Sequence, residues 1–246
     1  RLSVAPGSQD TNKINGWMTR VLLAWKLNNK MTITSGLDIN IENGSGGRIV
    51  NGKQKIQDYG VITSADIKLN NQWQIKPGLR WIYNSVYAAP TAIPSIHSKW
   101  SLNSRHDLKF AYGRGFRAPS LRELYFSFFD SSHSIIGNTD LKSELSNSYS
   151  AGWQWAIKEK ESIMISSTVS LFYNAIKNMI NFGQNPTNPT EVTYINIDQF
   201  KTKGITVNFN AKTDHHQLNT SVSSIARQNI ITANDLVIPN FNWSPE

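Results

Sequence analysis

Residues 31–41 read MTITSGLDINI, and this stretch decides the fold of the chain. Apolar and polar residues alternate along it, which places one set on each face of a β-strand. The run is about twice as long as the five to six residues of an ordinary globular strand. The apolar positions are Met31, Ile33, Leu37, Ile39 and Ile41, and the polar ones are Thr32, Thr34, Asp38 and Asn40.

The same alternation returns at residues 59–69, 73–83 and 163–173. These runs last about ten to fourteen residues, the length that a tilted transmembrane β-strand requires. A soluble β-sandwich would instead show shorter strands, with a turn about every 8–12 residues. Aromatic residues sit mainly near the ends of the runs, as in the interface girdles of a membrane barrel. Examples are Trp17 and Trp25, Trp73 and Trp81, Trp153 and Trp155, Tyr149 and Tyr173.

The connections between the runs alternate in length. Short turns are predicted near residues 28–30, 70–71, 103–105, 158–161 and 213–216. Long loops are predicted near residues 42–55, 84–94, 114–146, 178–191 and 228–237. This asymmetry is typical of outer-membrane barrels, which have tight periplasmic turns and larger extracellular loops.

The strand count follows from this alternation. Residues 192–212 keep one parity throughout and are predicted to form a single long strand. The sequence therefore predicts an all-β fold, an antiparallel transmembrane β-barrel segment of ten strands with an eleventh that begins at Phe241. Because a sheet that spans a membrane must close on itself, we expect residues 1–246 to be a partial β-barrel domain of a larger barrel.

Composition narrows the possible functions. The chain has no Cys, which excludes disulfides and thiolate metal sites. Its longest apolar runs are too short for a transmembrane helix. The net charge is +8, but Lys and Arg are spread along the chain, so no nucleic-acid partner is predicted. No catalytic motif is visible, and the chain is not expected to be an enzyme.

Residues 114–146 break the alternating pattern. They contain FRAPSLRELY at 116–125 and GNTDLKSE at 137–144. Pro119 biases the residue before it towards an extended backbone. Ser120 and Glu123 have the spacing of a capping box, which predicts a single helical turn over Leu121–Tyr125.

The two sequence boxes resemble the paired boxes of TonB-dependent outer-membrane receptors. The departures are Thr139 and Ser143, which stand where the family usually has Pro. Asn196-Ile197-Asp198 and Ile238-Pro239-Asn240-Phe241 are further matches. The residues that carry the motif and are expected to have structural roles are Phe116, Pro119, Glu123, Gly137, Asn138, Asp140, Leu141 and Glu144.

This resemblance implies a 22-stranded barrel with an internal plug, located in the outer membrane of a Gram-negative bacterium. It also implies energy-coupled import of a scarce metal chelate, namely haem, cobalamin or a ferric siderophore. The expected partners are outer-membrane lipid, the chelate, and an energy-coupling TonB complex that would act through regions outside this chain. No intrinsic cofactor is expected, since haem or another chelate would be cargo.

The resemblance to haem receptors also suggests a ligand site in the central loop. His133 lies between the boxes and could be an axial ligand of haem iron. Arg117 or Arg122 could pair with the propionates. Tyr125, Phe128 and Phe129 could stack on a flat macrocycle. Two alternatives stay open: His133 is an exposed loop residue without a ligand, or Arg117 and Glu123 form a structural ion pair.

Three other functions compete with the receptor. A passive porin would not need the paired boxes, and an outer-membrane enzyme would need a catalytic set inside the barrel. A soluble β-rich binding module would not need strands of this length.

Overall fold

The computed structural model describes residues 11–129, 134–160, 162–185, 188–230 and 242–245. Ten long strands and the start of an eleventh form one sheet. They are β1 (Lys13–Asn28), β2 (Met31–Ser45), β3 (Lys53–Lys68), β4 (Trp73–Asn84), β5 (Ile93–Asn103), β6 (His106–Arg117), β9 (Glu144–Lys160), β10 (Ile163–Asn185), β11 (Asn188–Thr213), β12 (Gln217–Ile230) and β13 (Asn242–Pro245). Three short elements lie between β6 and β9: helix α1 (Leu121–Tyr125), β7 (Phe128–Phe129) and β8 (Ser134–Ile136).

The strands follow one another in the sheet in chain order, and each long neighbour pair is antiparallel. This arrangement confirms the predicted all-β antiparallel architecture. β11 runs unbroken through residues 192–212, so the single strand predicted there is also confirmed. β7 and β8 pair with each other, and β8 adds a short parallel contact to β11.

Asparagine side chains close the short turns. The Asn28 Oδ1 accepts a hydrogen bond from the backbone N–H of Lys30 at 2.8 Å. Asn70 and Asn103 do the same at the next two short turns, each accepting from two backbone N–H groups. Such side-chain bonds satisfy the turn backbone locally, which explains why these connections need only a few residues.

The long loops are shorter than predicted, because the strands on either side of them continue into the predicted loops. Residues 178–191 were expected to form a loop, but β10 continues to Asn185 and β11 begins at Asn188. Parts of 42–55 and 114–146 are likewise paired strand. The reason is that backbone pairing continues beyond the apolar band, where strict alternation stops: in β10 the consecutive residues Met179 and Ile180 are both apolar, and Ile180 is buried.

The two faces of the sheet have opposite chemistry. The inner face is polar. It carries the paired residues Arg20 and Asp38, and the paired residues Asp58 and Asn84. The outer face carries large apolar side chains that remain exposed, such as Leu37 at 55% and Val222 at 68%. Asp38, by contrast, is only 7% exposed. An exposed apolar face and a polar inner face are the pattern of a barrel in lipid.

Aromatic side chains mark the two borders of the outer face. Trp73 pairs with Trp100, and Trp153 stacks on Trp155, near the short-turn end. Near the long-loop end the aromatic residues include Trp17 and the adjacent pair Tyr59 and Tyr83. Trp73 and Tyr83 are both on β4, and ten residues of strand span about 33 Å. Tilted as barrel strands are, this length covers an apolar band of about 25 Å.

The sheet is curved and open. Ile56 on β3 and Ile180 on β10 belong to one buried cluster although four strands lie between them in the sheet order, so the inner face must be concave. Within the described part of the chain, β1 pairs with β2 alone. No helix in that part is long and apolar enough to cross a bilayer.

Candidate ligand-facing site on the inner wall

Helix α1 forms as its sequence predicts. The Ser120 Oγ accepts from the backbone N–H of Glu123 at 3.3 Å, and the Glu123 carboxylate accepts from the backbone N–H of Ser120 at 2.7 Å. This is the predicted capping box, and it satisfies two N–H groups that a short helix would otherwise leave unpaired. A third, the N–H of Leu121, donates to Glu42 on β2 at 3.1 Å.

The central loop packs onto the inner face through a small apolar core. Leu121 is 0% exposed and Leu124 is 1% exposed. The buried members of the core come from four separate parts of the chain: Ile49, Ile56, Leu121, Leu124, Leu141 and Ile180. We call residues 118–129 and 134–143 the clasp, because they join the β2–β3 hairpin to β10 across the concave wall.

Arg117 ties the two sequence boxes together. Its guanidinium donates to Glu123 at 3.0 Å and to Glu144 at 2.6 Å. Glu144 also accepts from the backbone N–H of Ile180 at 2.8 Å. The Arg117–Glu123 ion pair offered as an alternative in the sequence is therefore present, and it extends to a second carboxylate.

The second box forms a tight turn on β11. The Asn138 side chain accepts from the N–H of Asp140 at 2.9 Å and donates to the carbonyl of Tyr194 at 2.8 Å. Gly137 approaches the clasp backbone closely, since a Cβ atom there would lie 2.8 Å from the carbonyl oxygen of Leu124. The motif thus needs Gly137 for space and Asn138 for the turn.

Asn196 is a structural residue whose role the sequence did not reveal. Its Oδ1 accepts from the N–H of Lys142 at 2.8 Å, and its amide donates to the carbonyls of Lys142 and Asn178. Glu42 and Ile49 were missed as well, although both hold α1. For Asn196 the one available signal was its match to the family pattern, which identifies a position but not its contacts.

The residues proposed to touch ligand lie at the clasp surface or outside the described residues. Arg122 and Phe128 are exposed and Tyr125 is half-buried against the core. Arg48 lies over the Phe128 ring at 5.5 Å, a cation–π distance. For Phe129 the structure describes only the backbone, and His133 lies outside the described residues.

Tyr87 lies in the β4–β5 loop and contacts the apolar core of the clasp. It packs against the core beside Tyr125. Burial raises the pKa of Tyr87 to about 12, and nearby Tyr125 and Glu123 add to the effect. The phenol therefore stays neutral at physiological pH and acts as a packing and hydrogen-bonding group.

A cavity of about 380 Å³ lies between the start of the clasp and the inner wall. Its floor holds Asp38, whose carboxylate binds Arg20 at 2.8 Å and Arg80 at 2.9 Å. The Arg80 Nε is buried without a hydrogen-bond partner in the described part of the chain. The lining of this cavity also includes Arg117, Glu42 and Asp58, so its three arginines and three carboxylates balance in formal charge.

A second region of the inner wall is basic. A cavity of about 550 Å³ is lined by Lys76, His97, Lys99 and Lys109, which lie on the neighbouring strands β4, β5 and β6. Lys99 pairs with Asp107 at 2.9 Å. The inner wall can therefore attract anions through its field as well as through single contacts.

Long strands, a lipid-type outer face and a polar inner wall with a packed loop define a β-barrel of the outer-membrane type. Residues 6–242 match the family described as TonB dependent receptor-like, beta-barrel. The chain belongs to this family, whose members are receptors and transporters and not enzymes.

Solved structures agree on the fold. The siderophore receptor PirA from Pseudomonas aeruginosa has a TM-score of 0.68 at 18% identity, over 88% of this chain and 43% of that one. The FrpB iron transporter from Neisseria meningitidis gives 0.69 at 13% identity, over 96% and 40%. The Serratia marcescens hemophore receptor HasR, solved with its hemophore HasA and heme, gives 0.66 at 12% identity, over 89% and 42%.

This chain therefore spans about two fifths of the length of those structures. No significant match was found among curated protein sequences.

Proposed function

We propose that this chain is part of an outer-membrane receptor for the energy-coupled import of a metal chelate, with an iron chelate as the favoured cargo. The observation that carries the proposal is the clasp, which both family boxes build on the polar inner wall of a receptor-family barrel. A passive pore has no need to hold an aromatic- and arginine-bearing loop against its wall with a buried core.

The structural relatives support iron among the three cargo classes. Their descriptions name siderophore, iron and heme, and they come from three different bacteria. The basic region of the inner wall at Lys76, Lys99 and Lys109 also suits an anionic chelate, because like-signed charges in a concave surface concentrate counter-ions. Haem and many ferric siderophores are anionic, so the charge of the wall does not favour one of them over the other.

The exposed part of the clasp supplies the proposed contacts. Arg122 is exposed and no other residue in the described part of the chain accepts from its guanidinium, so it is available to a carboxylate of the cargo. Tyr125 and Phe128 lie on the same loop and are proposed to stack on the cargo through the parts of their rings that stay exposed. Phe129 and His133 remain proposed contacts, with His133 as an axial ligand only if the cargo is haem. Arg117 is proposed to hold the loop, since two carboxylates already occupy its guanidinium.

The remaining parts of the proposal concern the whole protein. Its location would be the outer membrane of a Gram-negative bacterium, with the long-loop end facing outwards. Energy would come from a TonB complex that contacts regions outside this chain.

The test uses the full-length receptor and compares haem, cobalamin and a ferric siderophore in the same binding assay. We expect one iron chelate to bind, and Arg122→Gln with Phe128→Ala to weaken its binding. The matched control is Arg105→Gln, which removes an exposed charge at the short-turn end. Binding of none of the three cargoes, or uptake that continues after the proton gradient is dissipated, would reject the proposal.

A further inference from the structure

One row of inner-face positions crosses four neighbouring strands and carries mostly lysine. Gly60 pairs with Asp38 on the inner face. Lys68 lies eight residues further along β3, and this even separation keeps it on the same face. The register joins Lys68 to three successive partners on β4, β5 and β6, namely Gln74, Lys99 and Lys109. Three of the four positions in this row are therefore cationic.

Lys76 adds a fourth cation one row nearer to the long-loop end. It is opposite His97 in the register, and it lines the same cavity as Lys99 and Lys109. All four lysine side chains are exposed on the concave wall. We call the group the lysine track, and its members are Lys68, Lys76, Lys99 and Lys109.

Two carboxylates lie among these lysines, and both already have partners. Asp107 pairs with Lys99 at 2.9 Å. Asp66 accepts a hydrogen bond from the side-chain amide of Gln74 at 2.6 Å. Four lysines and two aspartates leave the lysine track with a net formal charge of +2. In the described part of the chain, no ion pair joins a carboxylate to the other three lysines of the track.

The arrangement of the lysines is unfavourable for the sheet alone. Lys99 and Lys109 are directly opposite each other on neighbouring strands, and like charges in that position are destabilising. Lys109 donates to the neutral side chain of Gln154 at 3.2 Å, which leaves its charge uncompensated. An anion in front of the row would remove the repulsion, so the geometry favours an anionic ligand.

Two cavities follow the lysine track to the short-turn end of the wall. The cavity of about 550 Å³ described above shares Gln74 and Lys99 with a second cavity of about 740 Å³. The second cavity is lined by Lys30 and Lys68 at the short turns, and its described lining contains no Asp or Glu. Both volumes lie within the range of small-molecule sites, about 300–1,000 Å³. Contiguous cavities that reach an edge of the wall suit a small anion that moves along it.

The lysine track is separate from the clasp. Arg117 at the start of the clasp and Lys109 are both on β6, and eight residues of strand span about 26 Å. A ligand of small-molecule size at the clasp therefore does not contact the lysine track at the same time.

We propose that the lysine track is a second, deeper binding site, which an anionic metal chelate occupies on its way from the clasp to the short-turn end. The inference rests on the proposed function, because the anion is the imported cargo. The clasp selects and holds the chelate, whereas the lysine track attracts it along the wall by charge. Substitutions in the track should therefore change uptake and leave the first binding step unchanged.

The test separates binding from uptake in cells that make the full-length receptor. The probes are haem and a ferric tris-catecholate, both anionic and labelled with radioactive iron. Surface binding is measured after the proton gradient is dissipated, and the initial uptake rate at saturation is measured with the gradient in place. The variant combines Lys68→Gln, Lys76→Gln and Lys109→Gln, and it keeps Lys99 because Asp107 needs its partner.

We expect this variant to bind the probe as the unmodified receptor does and to take it up about tenfold more slowly. Tenfold is the low end of the gain that a charge-lined cleft gives to the arrival of a counter-ion. Arginine at the same three positions keeps every charge and is expected to retain the original uptake rate.

The charge-matched control removes three exposed lysines from outer-face positions at the long-loop end: Lys13→Gln, Lys53→Gln and Lys55→Gln. Its uptake rate is expected to equal that of the unmodified receptor. Thermal unfolding of the purified glutamine variant in detergent is expected to be unchanged, because no ion pair of the described residues is broken.

Normal uptake by the glutamine variant with binding intact would overturn the lysine track and leave the proposed function in place. Slower uptake together with a lower unfolding temperature would also overturn it, because the lysines would then pair with another part of the receptor. An arginine variant as slow as the glutamine variant would exclude attraction by charge. If neither probe binds to the unmodified receptor, the proposed function fails and this inference fails with it.

Discussion

The clasp and the strand sheet bury side chains by opposite rules. In the clasp, Leu121 and Leu124 are almost fully enclosed, as in the core of a soluble domain. On the strands, large apolar residues such as Leu37 are exposed while the charged Asp38 is buried. The difference teaches that apolar side chains of this chain are covered in two ways. Lipid covers those on the outer face of the sheet, whereas other protein side chains cover those of the clasp.

The largest effect is expected for a substitution of Leu124, which tests the contrast between the clasp and the sheet. Leu124→Ala removes a buried side chain and leaves a cavity, so the clasp should lose about 2–5 kcal/mol of stability against local opening. The measurement is amide hydrogen exchange at Leu124, Gly137 and Asn138 in the full-length receptor, because their N–H groups close the clasp. Leu37→Ala is the matched control, since lipid fills the space that it leaves. Equal effects of the two variants would contradict the distinction.

The inner wall is tested at Asp38. Asp38→Asn leaves Arg20 and Arg80 facing each other without their shared anion. Breaking a fully buried pair costs about 3–5 kcal/mol, but both arginines are partly exposed, so about 2 kcal/mol is expected. Thermal unfolding of the full-length receptor in detergent measures the loss. Asp58→Asn is the control, because in the described residues Asp58 accepts from the neutral amides of Asn84 and Asn40, and it should cost clearly less.

Arg117 sharpens the comparison, since it connects the clasp to the sheet. Arg117→Ala leaves Glu123 and Glu144 close together and unpaired, which should cost about 1–3 kcal/mol. The lower part of that range is expected because the guanidinium is partly exposed. Limited proteolysis within residues 118–143 reports the loosened clasp. Arg117→Lys keeps the charge but lacks the planar fork that donates through Nη1 to Glu123 and through Nη2 to Glu144. Partial protection is expected, and protection equal to that of the original residue would show that a point charge is sufficient and contradict the role of the fork.

The smallest expected effect is at the start of α1. Ser120→Ala removes the acceptor for the Glu123 N–H and should cost about 1 kcal/mol. Hydrogen exchange at Glu123 is the sensitive probe, and Ser120→Thr should restore most of the protection. An unchanged exchange rate in Ser120→Ala would show that the contact of Leu121 with Glu42 is sufficient to hold the helix.

Local features of the site were predictable because they depend on neighbouring residues. The capping box of Ser120 and Glu123 and the turn at Asn138 follow from side chains that reach backbone groups two or three positions away. The contacts of Glu42 with Leu121 and of Asn196 with Lys142 were not predictable. They join residues 79 and 54 positions apart, and no periodic pattern encodes such a pairing.

Strand ends were less predictable than strand existence. Alternation identified every long strand from Lys13 to Ile230, because lipid and a polar interior select opposite residues on the two faces. It failed at residues 178–191, where the paired strands extend past the apolar band. The hydrogen-bonded backbone persists there, but the consecutive residues Met179 and Ile180 are both apolar, so the alternating signal is lost.

The sequence by itself determined the strands, their antiparallel order, the short turns and the family boxes, because each depends on local periodicity or a local motif. Only the tertiary structure decided that the boxes form a clasp on the inner wall and that Arg117 bridges Glu123 and Glu144. These features depend on sheet curvature and strand register, which bring distant positions together. The register of one strand depends on its pairing with the neighbouring strands, so it cannot be read from a single segment of the sequence.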